Sequence, residues 1–219
     1  MTASQPSSSS PVASHAGSSF LTPQRTRLLA GVGIAILVIF VAAWFLMAAG
    51  KRKEAFAARA LESARNVAQT GDLGTAVQQF QQVATTYSGT DAGYEAHLGI
   101  AQSRLIAGQA ELAISSLEEF IAGNPPARFR GPANSLLATA LENTGKYAEA
   151  ASAYRKASEL EEVPYLKATL LLDAGRALTL AGDSAAAAAV YQEVVDKYGE
   201  TAARSEAEVR LLELTATPA

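Results

Sequence analysis

Beyond residue 50, apolar side chains recur every three or four positions along the chain, and no stretch alternates with a period of two. The first spacing lines one face of a helix, whereas strict alternation is typical of a half-buried strand. The pattern therefore predicts an all-α fold. Because proline interrupts helices, its positions are expected to lie between helices or at the chain end. These positions are Pro125, Pro126, Pro132, Pro164 and Pro218.

A 37-residue repeat organises this helical region. Its four glycines are Gly71, Gly108, Gly145 and Gly182. Five residues after each stands an alanine: Ala76, Ala113, Ala150 and Ala187. Nine residues after each stands a bulky residue, and seven before each a small one: Phe80, Leu117, Tyr154 and Tyr191, and Ala64, Ala101, Ala138 and Gly175. The spacing predicts helical hairpins in which glycine ends the first helix in a left-handed turn and small residues let the second helix approach.

The predicted architecture is an α-solenoid of four such hairpins followed by a capping helix, because each hairpin leaves one face that only stacking can bury. The domain is expected to cover residues 51–219. The repeats are predicted at about 57–90, 94–127, 131–164 and 168–201. Residues 203–215 are predicted to form the capping helix. Leu212 stands there where the hairpins have Ala or Gly, as expected if no second helix follows.

Two different segments precede the repeats. Residues 1–27 are rich in Ser and poor in large apolar residues, so we expect a disordered tail. Residues 28–50 form 23 positions without a charge, and Lys51-Arg52-Lys53 follow directly. About 20 apolar residues span a bilayer as a helix, so we expect a single transmembrane helix here. A cleavable signal peptide is the alternative, although its apolar core usually has only ~7–15 residues.

Charge and residue content argue against nucleic-acid binding and against catalysis. All 21 acidic residues but only 13 of the 18 basic ones lie from Glu54 onward, so this region has a net charge of −8 and repels phosphate backbones. The chain has no cysteine and two histidines, so neither a metal nor a cofactor is expected. His97 is expected to serve in packing. We therefore predict no enzyme activity and no small-molecule substrate.

Two segments carry a resemblance to a known repeat. GQAELAISSLEEFIAGNP, residues 108–125, and GKYAEAASAYRKASEL, residues 145–160, resemble the turn and second helix of the tetratricopeptide repeat. The resemblance covers roughly residues 57–199. Since that family's usual period is ~34 residues, three extra residues are expected in each inter-repeat loop. The family's loop proline is kept only at Pro125.

The resemblance implies an inner wall, lined by the first helices, that binds proteins or peptides. An apolar wall with isolated arginines suits a hydrophobic segment with a carboxylate or a carbonyl nearby. The alternative is that its leucines pack against the neighbouring hairpin. The residues expected on the wall are Leu61, Arg65, Leu98, Gln102, Leu105, Ile106, Thr139, Leu172, Arg176 and Leu180.

A narrower resemblance follows from the order of tail, membrane helix and repeats, which is similar to the ancillary subunit family of the bacterial SecYEG translocon. The segments YQEVVDKYGETAARSEAEVRLLEL and FQQVATTYSGTDAGYEAHLGIA also resemble the TolA-binding cell-division coordinator. This implies a membrane-tethered scaffold at the inner membrane, with periplasmic repeats that assist secretory or envelope complexes. A homo-oligomeric structural role is the alternative function.

Charges beside the predicted span favour the opposite orientation. Arg25 and Arg27 precede it, whereas Lys51, Arg52, Lys53, Arg59 and Arg65 follow it. Because basic residues tend to remain in the cytoplasm, this count predicts a cytoplasmic repeat domain. The resemblance predicts a periplasmic one.

Overall fold

A computed structural model describes residues 23–216, with side chains described at 36–41, 44, 45, 47, 50 and 52–216. Residues 1–22, most of the predicted disordered tail, lie outside the described part. The chain divides into two units, residues 1–49 and 50–219, and each is considered by itself.

The described residues form nine α-helices and no strand, which confirms the predicted all-α class. The helices are α1 (Pro23–Gln69), α2 (Leu73–Thr86), α3 (Asp91–Ile106), α4 (Ala110–Ala122), α5 (Ala127–Asn143), α6 (Tyr147–Leu160), α7 (Pro164–Leu180), α8 (Ser184–Lys197) and α9 (Ala203–Ala216). The end of α1 pairs with α2, and α3–α4, α5–α6 and α7–α8 form three further hairpins. The α-solenoid of hairpins is therefore confirmed.

In the first unit, α1 begins at Pro23. The apolar side chains from Ile36 to Val41 are between 53% and 72% exposed. Among the residues that the structure describes, no helix meets the length and apolarity needed to cross a bilayer. Residues 28–35 of the predicted transmembrane helix lie outside the described side chains.

The turns within the hairpins have the geometry that the repeat predicts. The backbone φ angles of Gly71, Gly108, Gly145 and Gly182 are 88°, 72°, 76° and 82°, in the left-handed region that favours glycine. At Gly108, the next backbone N–H, of Gln109, donates to the carbonyl of Arg104 at 2.8 Å. The same bond joins Lys146 to Leu141 and Asp183 to Leu178. These bonds cap carbonyls in the last turns of α3, α5 and α7.

The predicted small and bulky positions are in the core. The four alanines of the second helices are fully buried, and the four bulky residues are between 1% and 4% exposed. At Gly175 even a methyl group would collide with the ring of Tyr191. The absence of a side chain at Gly175 therefore lets α7 and α8 close around that tyrosine.

The core of the second unit consists of three clusters. The largest extends from α4 to α9 and includes Tyr154, Tyr191 and Val194. A second joins α1, α2 and α3 around Phe80. A third lies between α3, α4 and α5 and includes Phe120. Apolar packing is therefore most continuous toward the C-terminal end.

Two sequence predictions about the inter-repeat segments are wrong. Pro132 lies inside α5 rather than between helices, because α5 begins at Ala127, directly after Pro126. The bond from Phe129 N–H to the Pro126 carbonyl, at 2.9 Å, is part of this early start. The extra residues of the repeat also do not lengthen the loops. The connections have only three to five residues, while α5 and α7 have 17 residues each.

Helix α9 follows the fourth hairpin as a single helix. Ala203 and Ala207 are buried against the core cluster of the neighbouring helices, whereas Leu212 is 69% exposed. Within the described residues no second helix covers Leu212, whereas the equivalent Gly175 of the fourth hairpin faces Tyr191 of α8.

Candidate functional site: an inner wall and an outer slot

The first helices form one layer of the repeat domain. Helix α3 contacts α5, and α7 contacts α9, in addition to the contacts that each makes with second helices. Arg65, Gln102, Thr139 and Arg176 are spaced by 37 residues, so they occupy one repeat position on successive first helices. This position marks the inner wall that the sequence predicts.

The predicted wall leucines differ in accessibility. Leu61 and Leu172 are buried, at 4% and 9% exposure, within core clusters. Leu98 and Leu105 are half-buried and pack against core clusters. Leu180 is exposed. Leu61 and Leu172 therefore pack as the packing alternative expects. For the whole set of wall residues, a binding role remains a prediction.

Three predicted residues meet at a pocket of about 380 Å³ near the N-terminal end of the repeats. This inner pocket is lined by Arg65 from α1, by Gln102 and Ile106 from α3, and by Phe80 from α2, among others. Arg65 forms an ion pair with Glu95. The pocket therefore combines an apolar floor with a positioned guanidinium group and an exposed isoleucine.

Thr139 and Arg176 belong to a separate polar cluster on α5, α6 and α7. Arg176 pairs with Glu142 and, at 3.0 Å, with Asp173. The hydroxyl of Tyr154 donates to Glu142 at 3.1 Å and lies 3.2 Å from the Thr139 hydroxyl. Burial raises the pKa of Asp173, although Arg176 opposes that shift. Burial alone would lower the pKa of Arg176, but its bonds to Glu142 and Asp173 raise it.

This second cluster is satisfied by its own members. The carboxylate of Glu142 is only 14% exposed and accepts bonds from both Tyr154 and Arg176. The network therefore joins two adjacent hairpins. The structure brings Arg65, Gln102 and Ile106 together but separates them from Thr139 and Arg176.

A larger cavity, of about 550 Å³, lies on another side of α3, between α2 and α4. We call it the outer slot. It is lined by Tyr94, His97 and Arg104 of α3 and by Leu112 and Phe120 of α4, among others. The His97 ring stacks on Phe120 with centroids 4.8 Å apart. Burial lowers the pKa of His97, and the charge of Glu119 opposes that shift.

Sequence reasoning identified His97 as a packing residue and missed the slot. The sequence signal for the slot was that three positions of the second hairpin depart from the repeat. Tyr94, His97 and Arg104 are large and polar. The other first helices have small or apolar residues and one asparagine there, namely Ala57, Ala60 and Val67, then Gly131, Asn134 and Leu141, then Ala168, Leu171 and Leu178.

Comparisons with known proteins agree with the stacked helical hairpins of the repeat domain. A family model described as a tetratricopeptide repeat matches residues 135–202. The repeat domain has the tetratricopeptide fold. Two similar solved structures contain TPR-like repeats from a Podospora anserina protein described as a putative kinesin light chain, and one of the two is a substituted variant of the other. Each shares 19% identity at a TM-score of 0.58, covering 71% of this chain and 83% of its own.

No curated protein matches the chain. The matches support the repeat fold that the sequence predicts. They do not show the narrower resemblance to translocon-associated and TolA-binding proteins.

Proposed function

We propose that this chain is a non-enzymatic scaffold, tethered to the bacterial inner membrane by one helix, that binds secretory or envelope proteins through its inner wall. The tetratricopeptide fold supports the general class, since stacked hairpins present an extended surface for partners. The resemblance to the translocon-associated family supports the location and a periplasmic repeat domain.

The lining of the inner pocket is the main support for the binding role. The tetratricopeptide resemblance predicts Arg65, Gln102 and Ile106 on the wall, and the three residues line one open cavity. Ile106 is 68% exposed and offers an apolar contact, while Arg65 offers donors to a carboxylate or a backbone carbonyl. An extended apolar peptide segment fits this combination.

The apolar part of α1 supports the tether. Six consecutive large apolar side chains, residues 36–41, are more than half exposed. Such a surface around a helix is unfavourable in water and favourable in the hydrocarbon of a bilayer. The uncharged sequence of residues 28–50 supports the same interpretation.

Site-specific photo-crosslinking in intact bacterial cells tests the binding role. We expect a photo-reactive residue at Ile106 to trap translocon or secretory proteins. The same residue at Glu118, an exposed position on α4, is the matched control and should trap much less. Crosslinks at Ile106 to copies of this chain alone would contradict the proposal and favour the homo-oligomeric alternative.

A reporter fused after Ala219 tests the orientation. Alkaline phosphatase is active only outside the cytoplasm, and green fluorescent protein exported by the general secretory route stays dark. We expect an active phosphatase fusion and a dark fluorescent fusion. The five basic residues that follow the predicted span favour the alternative, a cytoplasm-facing scaffold. A fluorescent fusion with inactive phosphatase would establish that alternative.

A further inference from the structure

The outer slot differs from the inner pocket in carrying two opposite charges without an ion-pair partner. Among the residues that the structure describes, neither Arg104 nor Glu119 has an oppositely charged group within ion-pair distance. A guanidinium nitrogen of Arg104 donates to the Leu112 carbonyl at 2.9 Å, and its other donors remain available. Both charged residues line the cavity.

The two charges lie at different ends of the slot. The Leu112 carbonyl fixes the Arg104 guanidinium near the start of α4, and Glu119 is seven residues further along the same helix. At 1.5 Å per residue this separation is about 10 Å. The rest of the lining is mainly apolar and includes the stacked rings of Phe120 and His97, with Ser115 and Ser116 adding hydroxyl groups.

Arg104 is unfavourable for packing the hairpin itself. At the position of Arg104 the other first helices have Val67, Leu141 and Leu178, which pack against or within the core. In the second hairpin an arginine that lines the slot replaces these apolar side chains. A guanidinium group that neither packs in the core nor forms an ion pair is available to a ligand.

The spacing of the two charges is compatible with an extended peptide. In an extended peptide, residues i, i+2 and i+4 project to one side, and their backbones span about 13 Å at 3.3 Å per residue. This span is longer than the separation of about 10 Å between the two charges of the slot. The flexible acidic and basic side chains of the peptide make up the difference. An acidic residue would pair with Arg104, a basic one with Glu119, and an apolar residue between them would fill the slot.

We propose that the outer slot is a second peptide-binding site. Its ligand is an extended segment in which an aromatic or aliphatic residue is flanked, two positions away on either side, by an acidic and a basic residue. This site is separate from the inner wall and does not depend on the role proposed for that wall.

A short synthetic peptide tests this assignment directly. The probe is acetyl-Glu-Ser-X-Ser-Lys-amide, with photo-reactive benzoylphenylalanine at X, mixed with the purified full-length chain. We expect crosslinks on α3 and α4, located by mass spectrometry of proteolytic fragments. A competing peptide with Phe at X should suppress them, and one with Ala at X should compete about tenfold less well. Crosslinks confined to the inner pocket, or equal competition by the Ala peptide, would overturn the proposal.

A charge reversal sharpens the test. We expect Arg104→Glu to weaken binding of the Glu-Ser-Phe-Ser-Lys peptide about three- to tenfold and to strengthen binding of Lys-Ser-Phe-Ser-Lys by a similar factor. Arg59→Glu, at an exposed position of α1 outside the lining of the slot, is the matched control and should change neither affinity. Melting temperature shows whether each variant is folded. A folded Arg104→Glu variant with unchanged preference between the two peptides would contradict the assignment.

Discussion

The second and third hairpins share one repeat register but differ in how tightly their helices pack. In α5–α6, Gly131, Asn134 and Leu141 occupy the positions of Tyr94, His97 and Arg104 in α3–α4. Gly131, Asn134 and Leu141 are all buried. In α3–α4 the larger polar residues line a cavity of about 550 Å³.

The difference indicates which features of a repeat specify its backbone and which remain variable. Both hairpins keep the left-handed glycine and the buried alanine five residues later, so their turns and helix approach are alike. The first-helix face can therefore vary without changing the hairpin. We infer that the second hairpin gives up packing for binding, whereas the third serves mainly the stability of the core.

The largest difference in stability between the two hairpins is expected when a tyrosine ring is removed. Tyr154 of α6 is 4% exposed, so Tyr154→Ala should lower the free energy of unfolding by about 3–5 kcal/mol, as for other buried aromatic truncations. Tyr94 is half-buried beside the slot, and Tyr94→Ala should lower it by only about 1–2 kcal/mol. Urea unfolding of the full-length chain measures both. Equal losses would mean that the slot is packed as tightly as the core.

Enlarging the buried alanine should affect both hairpins alike. Ala113→Leu and Ala150→Leu each force the second helix away from its surroundings, and each should lower stability by roughly 1–3 kcal/mol. Glu118→Ala, on the exposed face of α4, should change stability by less than about 0.5 kcal/mol. Thermal unfolding compares the three variants. Unchanged melting temperatures for both alanine variants would disprove the shared register.

The polar network of the third hairpin should contribute less than its packing. Glu142→Gln weakens the bonds to Arg176 and Tyr154, and we expect a loss of about 1 kcal/mol. That value is discounted for solvent screening because Arg176 is 44% exposed. Glu159→Gln removes the exposed pair with Lys156 and should have almost no effect. The same loss in both variants would show that the Glu142 network has no special role.

The smallest expected effect is a pH dependence confined to the second hairpin. The pKa of His97 is lowered in the folded protein from its ordinary value of 6.5. The neutral ring therefore contributes stability above pH 6.5, and this stability is lost as the pH falls through the pKa of the folded state. Charged groups facing the slot are Glu119 and Arg104, and its α2 lining is uncharged. His97→Asn, which copies Asn134, should reduce the fall in melting temperature between about pH 7.5 and 5. An unchanged fall would exclude this role.

Much of the fold was predictable because its determinants are local and repeated. A left-handed glycine, a small residue and a bulky residue at fixed offsets define each hairpin without knowledge of distant contacts. The start of α5 was not predictable in this way, because the helix begins directly after Pro126 and includes Pro132 in its second turn.

The candidate site was only partly predictable. The repeat position of Arg65 and Gln102 identified the inner pocket, but burial of Leu61 depends on how neighbouring hairpins stack. The outer slot requires side chains from three helices, so its only signal in the sequence was the unusual size and polarity of Tyr94, His97 and Arg104.

Hydrogen–deuterium exchange of α4 and α6 tests most directly whether these three residues hold the second hairpin open. We expect amides of residues 110–122 to exchange faster than those of residues 147–160, because loosely packed helices open at lower free energy. The double variant His97→Asn and Arg104→Leu copies the third hairpin at two of the three positions and should slow exchange in α4 while leaving α6 unchanged. Equal protection of α4 and α6 in the wild-type chain, with no change in the double variant, would contradict the account.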